Sequence, residues 1–392
     1  MDLSNLIEKA NLKAVEIFHH LHMHPELSEM EKETADFICQ TLDNLKIPYQ
    51  RNVAGHGIIG LISGKGDGCI GIRADIDALP VTETTNLPYK SQNCGVMHAC
   101  GHDMHISILL GTAMVLKEMA DTDKLPGSVK LFFQPSEETI GGADAMIKAG
   151  AMENPKVSTT LGLHVDPALE VGSLLLCKGA MNAAVDDFSC TVQGKQSHGA
   201  KPENGVDPIV VAADIIMSLQ TIASRMTSPT NPVVITIGQL NAGAAPNIIP
   251  DKAVMTGTLR ALSNETLDFI RKKTELIAET TASMYDASVD FSWMNAPFPP
   301  LINDGEVTRV LEQAAENCPH IDQVVYMPEP SMGADDYAFF TQAAPGAYFN
   351  VGCTKKGGQW YPLHNPNFAA EEETIICGIE IEVNGALALL GK

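Results

Sequence analysis

Leu131-Phe132-Phe133-Gln134-Pro135-Ser136-Glu137-Glu138 is the stretch whose reading decides the fold: an apolar strand that stops at a proline and ends in paired carboxylates. Similar short apolar runs occur at 57–63, 69–73 and 159–165, and a helical stretch from His105 to Met119 separates the second from the run at 128–134. Ahead of them, Leu6, Ala10, Ala14, Ile17 and Leu21 repeat at helical spacing over residues 5–22, closed by Pro25, and a second helix runs to Leu45 before Pro48. Helices alternating with strands predict an α/β sheet. In such sheets the ligand site lies beyond the carboxyl ends of the strands, where Asp75, Glu137 and His164 are expected.

A chain of 392 residues exceeds what one core usually holds, so a second domain or an insertion is expected. Residues 184–296 read as that insertion. A strand (Asp187 to Val192), a helix (Val206 to Ala223), two strands (Val233 to Ile237, Val254 to Leu259), a helix (Glu265 to Met284) and a strand (Val289 to Trp293) give the order β-α-β-β-α-β. That order is ferredoxin-like and builds its own two-layer core. Residues 1–183 and 297–392 then form a discontinuous catalytic domain, whose last helix repeats Ile375, Ile379 and Val383 and whose chain rejoins the first sheet.

Apolar residues are 45% of the chain and charged residues 19%, the composition of a globular protein. The formal net charge of -22 excludes nucleic acid as a partner by repulsion and offers no attraction to an anionic membrane. No stretch is expected to approach the roughly 20 apolar residues of a membrane span. Asp2, Glu8, Lys9, Lys13 and Glu16 stand where a signal peptide needs an apolar run, so the expected compartment is the cytoplasm. Nine cysteines, an odd number without tight spacing, are expected to be mostly reduced and buried.

The chemistry lies in Cys100, His102, Glu137, Glu138, His164 and His364, thiolate, imidazole and carboxylate donors from four distant segments. Gly101 lets the backbone turn so that Cys100 and His102 face one cation. A cysteine nucleophile with a histidine base is the alternative, but side chains two apart in a loop rarely reach that geometry. Two adjacent glutamates are ordinarily a solvated loop; after this strand one can bind metal while its neighbour takes a proton. His164 in an apolar run is, taken alone, a core histidine, and His364 sits in a loop fixed by Pro362 and Pro366. Together they suggest a two-metal hydrolytic site. His19, His20, His22 and His24 look like a metal tract but follow the helix pattern and read as structural.

Met97-His98-Ala99-Cys100-Gly101-His102-Asp103, Gln134-Pro135-Ser136-Glu137-Glu138, Gly162-Leu163-His164, Ser197-His198-Gly199-Ala200 and Leu363-His364-Asn365-Pro366 carry a resemblance. In this order, with Leu21 to Leu27 and Arg73 to Pro80, they resemble the two-metal amidohydrolases related to aminoacylases. That group includes hippurate hydrolases, N-acetyl-amino-acid deacetylases and auxin-conjugate hydrolases. The resemblance implies a mixed-sheet metallopeptidase-like catalytic domain with an inserted ferredoxin-like α+β lid domain that also dimerises. It implies Cys100 bridging two divalent metal ions, completed by His102, Glu138, His164 and His364, with Glu137 as general base for a metal-activated water.

By the same resemblance His198 stabilises the oxyanion, often across a dimer, and Asn247 and Arg260 hold the substrate carboxylate. For Arg260 a surface ion pair is an equally good reading. Asp75 and Asp77, at the end of their strand, are placed to orient ligands from behind. Asp335 stands where family members more often have Glu. The implied reaction is hydrolysis of the amide of an N-acyl amino acid. A dipeptidase or carboxypeptidase of the same clan, a cysteine-nucleophile hydrolase and an inactive metal-binding protein are the alternatives. A thiolate ligand favours Zn²⁺, while carboxylate and imidazole also suit Mn²⁺, Co²⁺ or Ni²⁺.

Overall fold

The computed structural model describes residues 2–139, 141–294 and 297–391; the expected boundaries at 1, 296 and 392 lie outside the described residues. The chain divides into two compact units. One comprises Met1–Met181, Ile302–Glu329 and Asp336–Lys392, the other Asn182–Leu301 and Pro330–Asp335.

The first unit is built on an eight-stranded mixed sheet. Its order is Tyr49–Val53, Gly57–Ile62, Ser128–Gln134, Cys69–Asp75, Thr159–Glu170, Gly346–Thr354, Ser173–Leu176 and Gln323–Tyr326. Cys69–Asp75 runs parallel to both of its neighbours and all seven of its residues are buried, the pattern of a strand covered on both faces. The late segment does rejoin this sheet: Gly346–Thr354 lies parallel to Thr159–Glu170 and antiparallel to Ser173–Leu176.

Helix Leu3–Met23 starts at Asp2, whose side chain accepts the Ser4 N–H at 3.2 Å, and it buries Ile7, Ala10, Ala14, Ile17, Phe18 and Leu21. It packs with His102–Asp121 and Thr374–Leu390. Their meeting point is Gly111, where a Cβ would come within 2.4 Å of Ile379 Cδ1 and 3.3 Å of Ala14 Cβ. Only a hydrogen fits there, and the close approach buries side chains worth about 1.5–3 kcal/mol each.

The expectation that the site residues lie beyond strand ends needs one correction. Asp75 ends its strand and Glu137 follows Gln134, but His164 lies inside Thr159–Glu170. The physical reason is the unread partner strand: Gly346–Thr354 continues the pairing past His164, opposite Asn350.

The second unit is a four-stranded antiparallel sheet in the order Val233–Ala242, Lys252–Ala261, Ala184–Gln193 and Ser288–Trp293, with helices Pro208–Thr221 and Asn264–Met284 packed on it. Both helices carry side-chain caps, Asp207 to the Ile209 N–H and Ser263 to the Thr266 N–H. Its core is separate from the first and centres on Phe188, Val192, Ile215, Leu219 and Ile270.

The expectation that no stretch approaches a membrane span also needs correction. Pro208–Met226 is long and apolar enough to cross one by length and composition alone. Its apolar character comes from two faces: Val211, Ala212, Ile215 and Leu219 are buried on the sheet, while Ile209, Val210 and Met217 are exposed.

Candidate metal centre

Four segments of the first unit bring the donors together. Gly101 has φ +85°, and a Cβ on it would stand 2.5 Å from Val165 Cγ2. The turn it makes opens helix His102–Asp121, so Cys100 ends a loop and His102 begins a helix. Cys100, His102 and His164 converge as one group, Cys100, Glu138 and His364 as a second, and His102, Glu137 and Glu138 as a third, with donor atoms within 4.8 Å of one another in each. The resemblance implies five of these as ligands and Glu137 as the general base; the fold brings all six into these overlapping groups.

Two of the imidazoles are held from behind. His102 Nδ1 donates to the Asp77 carbonyl at 2.8 Å, and His164 Nδ1 donates to the Val165 carbonyl at 2.7 Å. Those bonds put a proton on each Nδ1, so that the neutral rings would offer the Nε2 lone pairs to a cation. His164 Nε2 is 3.5 Å from Cys100 Sγ. His102 Nε2 is 3.9 Å and His364 Nε2 3.4 Å from Glu138 Oε1. His102 Nε2 and Glu138 Oε1 are buried without hydrogen-bond partners, an arrangement that costs free energy unless a further group meets them. The donor types and these orphaned atoms fit divalent cations.

The electrostatics point the same way. Burial alone would lower the His102 pKa, but Asp75 and the hydrogen bond to Asp77 raise it well above its usual value. Burial pushes the Cys100 thiol well up, and Glu138 and Glu137 add to the push. The pocket therefore calls for positive charge, and a thiolate needs that charge beside it. Burial would raise Asp75, yet Arg73, His102 and His105 hold it well below the carboxylate range. Burial would likewise raise Glu138, and His364 holds it down.

The supporting residues were partly missed by sequence reading. Asp75 and Asp77 were placed behind the ligands, and Asp77 Oδ2 accepts both the Ser28 hydroxyl at 2.6 Å and the Glu138 N–H at 3.0 Å. Asp75 binds Arg73 at 2.5 Å and His105 Nδ1 at 2.6 Å, while His105 Nε2 accepts the Val165 N–H. Burial lowers the His105 pKa to about 4, so it is a neutral spacer. Arg73, fully buried, also reaches Gln134 Oε1 at 2.8 Å and Asp336 Oδ1 at 2.9 Å. No role was read for His105, Arg73 or Asp336; for Arg73, which opens the stretch Arg73 to Pro80, a charge inside a strand of apolar neighbours was the available signal. His22 pairs with Asp103 at 2.6 Å within the helix packing, so the histidine tract serves structure as read.

Ser136 and His364 both sit in the left-handed region, φ +55° and +64°. Each such residue costs roughly 1–3 kcal/mol and persists only where its surroundings demand it. His364 is held by its N–H to the Ala99 carbonyl at 2.8 Å.

His198, Asn247 and Arg260 belong to the second unit. His198 is exposed in a two-residue strand paired with Ile248–Ile249, and its Nδ1 accepts the Ala200 N–H at 3.0 Å, leaving Nε2 as the outward nitrogen. Asn247 is beside it, its carbonyl accepting the Gly199 N–H at 2.8 Å. Arg260 lies on Lys252–Ala261 opposite Val185, its pKa lowered by burial, against which Asp187 acts. Asp335 is a buried residue of this unit.

Residues 71–386 match the model of peptidase family M20/M25/M40. The chain is 38% identical to N-acetyl-L-cysteine deacetylase of Bacillus subtilis over 92% of its own length and 84% of that protein's. It is 36% identical to IAA-amino acid hydrolase ILR1-like 4 of Arabidopsis thaliana over 96% and 85%. Among solved structures, the Bacillus subtilis YXEP protein, described as a dinuclear metal binding peptidase from the M20 family, superposes with a TM-score of 0.84 at 33% identity, covering 98% of this chain and 99% of that one. With a family match across most of its length and relatives of this closeness, the chain is an amidohydrolase belonging to peptidase family M20/M25/M40.

Proposed function

We propose that the protein hydrolyses the amide bond of N-acyl amino acids, releasing a carboxylate and a free amino acid, with two divalent metal ions held by Cys100, His102, Glu138, His164 and His364. The observation that carries the reading is the convergence of these five donors, with the His102 and His164 imidazoles each held through Nδ1 so that Nε2 faces the group. Relatives named N-acetyl-L-cysteine deacetylase and IAA-amino acid hydrolase support the substrate class.

Bound cations would polarise the scissile carbonyl and acidify a water. Glu137, beside Glu138 and within reach of His102, takes the proton from that water and passes it to the departing amine nitrogen. His198 donates from its outward Nε2 to the oxyanion. Asn247 and Arg260 hold the substrate carboxylate, for which the planar guanidinium suits both oxygens. The thiolate ligand favours zinc and the carboxylate and imidazoles admit manganese, cobalt or nickel.

The second unit is the proposed dimer interface: Val233–Ala242 is an edge strand, and Ile209, Val210 and Met217 are apolar and exposed on the adjacent helix. The deciding experiment is a panel of acetyl, benzoyl, succinyl and indoleacetyl amino acids with metal content measured beside each rate. Hydrolysis that stops on chelation and returns with Zn²⁺ or Mn²⁺ is expected. Preference for free-amino dipeptides would instead make it a dipeptidase, and silence towards all substrates with metal bound would end the hydrolase reading.

A further inference from the structure

We propose that Glu31 is a positioning residue for Glu137, acting through both the backbone N–H and the hydroxyl of Ser136; this rests on the reading of Glu137 as the base. Glu31 is the residue before helix Lys32–Asn44, where an acidic side chain ordinarily caps the helix amides, yet it makes no such bond. Its fully buried carboxylate turns instead to another segment of the unit. Oε1 accepts the Ser136 N–H at 2.9 Å and the Ser136 hydroxyl at 3.3 Å. The Ser136 oxygen in turn accepts the Glu29 N–H at 3.1 Å.

These bonds fall at Ser136, the residue immediately before Glu137, which adopts a left-handed conformation. On the other side, the Glu138 N–H is held by Asp77 Oδ2, which is also bound by Ser28. The segment Ser28–Glu31 thus grips the peptide both before and after Glu137, and fixes where its carboxylate leaves the chain. A base must be placed within hydrogen-bond reach of the proton it takes, so a small release of this turn costs rate without touching metal or substrate binding.

Glu31→Ala, Glu31→Gln, Glu137→Ala and the Glu31→Ala/Glu137→Ala double variant are compared on the acyl amino acid that wild-type enzyme turns over fastest, with metal content and hydrogen exchange of residues 134–138 measured alongside. Expected for Glu31→Ala are a kcat loss of about tenfold or more, KM within about twofold, unchanged metal content and faster exchange at Ser136. Glu31→Gln keeps an accepting oxygen and is expected within about threefold of wild type. In the Glu137→Ala background, removing Glu31 should cost no further rate, because residues acting as one unit are not additive. Wild-type kcat in Glu31→Ala, equal damage from Gln and Ala, or losses that multiply in the double variant would each overturn the positioning role. Full turnover in Glu137→Ala would overturn the base assignment itself, a different result from unchanged kcat in Glu31→Ala. If Glu31→Ala does not fold, Ser136→Ala, which removes only the hydroxyl links, is expected to lower kcat by about threefold; no change there would overturn the proposal.

Discussion

Asp77 is tied to Glu138 through the backbone: its Oδ2 accepts the Glu138 N–H at 3.0 Å, while its own carbonyl accepts the Nδ1 proton of His102 at 2.8 Å. One residue therefore sets the direction of two proposed ligands on different segments. Asp77→Ala is expected to weaken metal binding by about 10- to 100-fold, as loss of such outer partners does elsewhere. Titration of the demetallated variant with Zn²⁺, followed by calorimetry, checks this; wild-type affinity would count against the ligand assignment.

Stripping the metal should destabilise the folded chain. At free metal of about 100 times Kd, one occupied site adds roughly 2.7 kcal/mol. Thermal unfolding with and without a chelator is expected to show a lower Tm in the chelated protein, restored by Zn²⁺ or Mn²⁺. An unchanged Tm together with no metal in the purified protein would argue that these donors bind nothing.

Glu137→Ala should separate chemistry from binding. Metal content is expected to remain at the wild-type level and kcat to fall by about 10²- to 10⁴-fold, the usual worth of a placed general base. Elemental analysis and steady-state rates on the same preparation test both halves.

The buried pair of His22 with Asp103 predicts an alkaline loss of stability. Burial alone would lower His22, but Asp103 and Glu83 raise it to about 9 from 6.5. Below about pH 6.5 the imidazole is charged in folded and unfolded chains alike and the pairing contributes in full. Between that pH and about 9 only the folded form keeps the proton, so stability falls as pH rises, by roughly 3 kcal/mol over the window. Urea midpoints of chelated protein at pH 6 and pH 9 should differ accordingly, and His22→Gln should flatten the difference.

Gly101→Ala should fail on two grounds, the positive φ and the 2.5 Å approach to Val165 Cγ2. A loss of more than about 2 kcal/mol is expected, with reduced metal uptake because Cys100 and His102 share the turn. Tm and metal stoichiometry of the variant measure both.

The sequence made the alternation of helices and strands legible because burial leaves a period: Leu6, Ala10, Ala14 and Ile17 form one helical face, and the mostly apolar run at 69–73 reads as a strand. Cys100, His102, Glu138, His164 and His364 were legible as chemical types that have little reason to stand in or beside apolar strands. What stayed hidden depends on contacts between distant segments. Gly346–Thr354 is central to the sheet, but its neighbours are set by pairing across the chain, so no local pattern placed His164 within a longer strand. Glu31 looks like an ordinary residue at a helix start until the fold brings Ser136 against it. Arg73 stands out as a charge among apolar strand residues, but its partners Asp75, Gln134 and Asp336 are shown only by the fold.

The place of Gly346–Thr354 has a consequence for how the molecule comes into being. That strand fills the gap between Thr159–Glu170 and Ser173–Leu176, with Gly346 against Thr160, so the large sheet must wait for residues made long after its other central strands. Such distant pairing is slow, since a long loop must close before any contact rewards it. The second unit, whose four strands all lie between Ala184 and Trp293, has no such wait. A chain halted on the ribosome before Gly346 should therefore protect that unit from protease while leaving the half-finished sheet with two unsatisfied edges, the state in which a nascent protein most needs a chaperone.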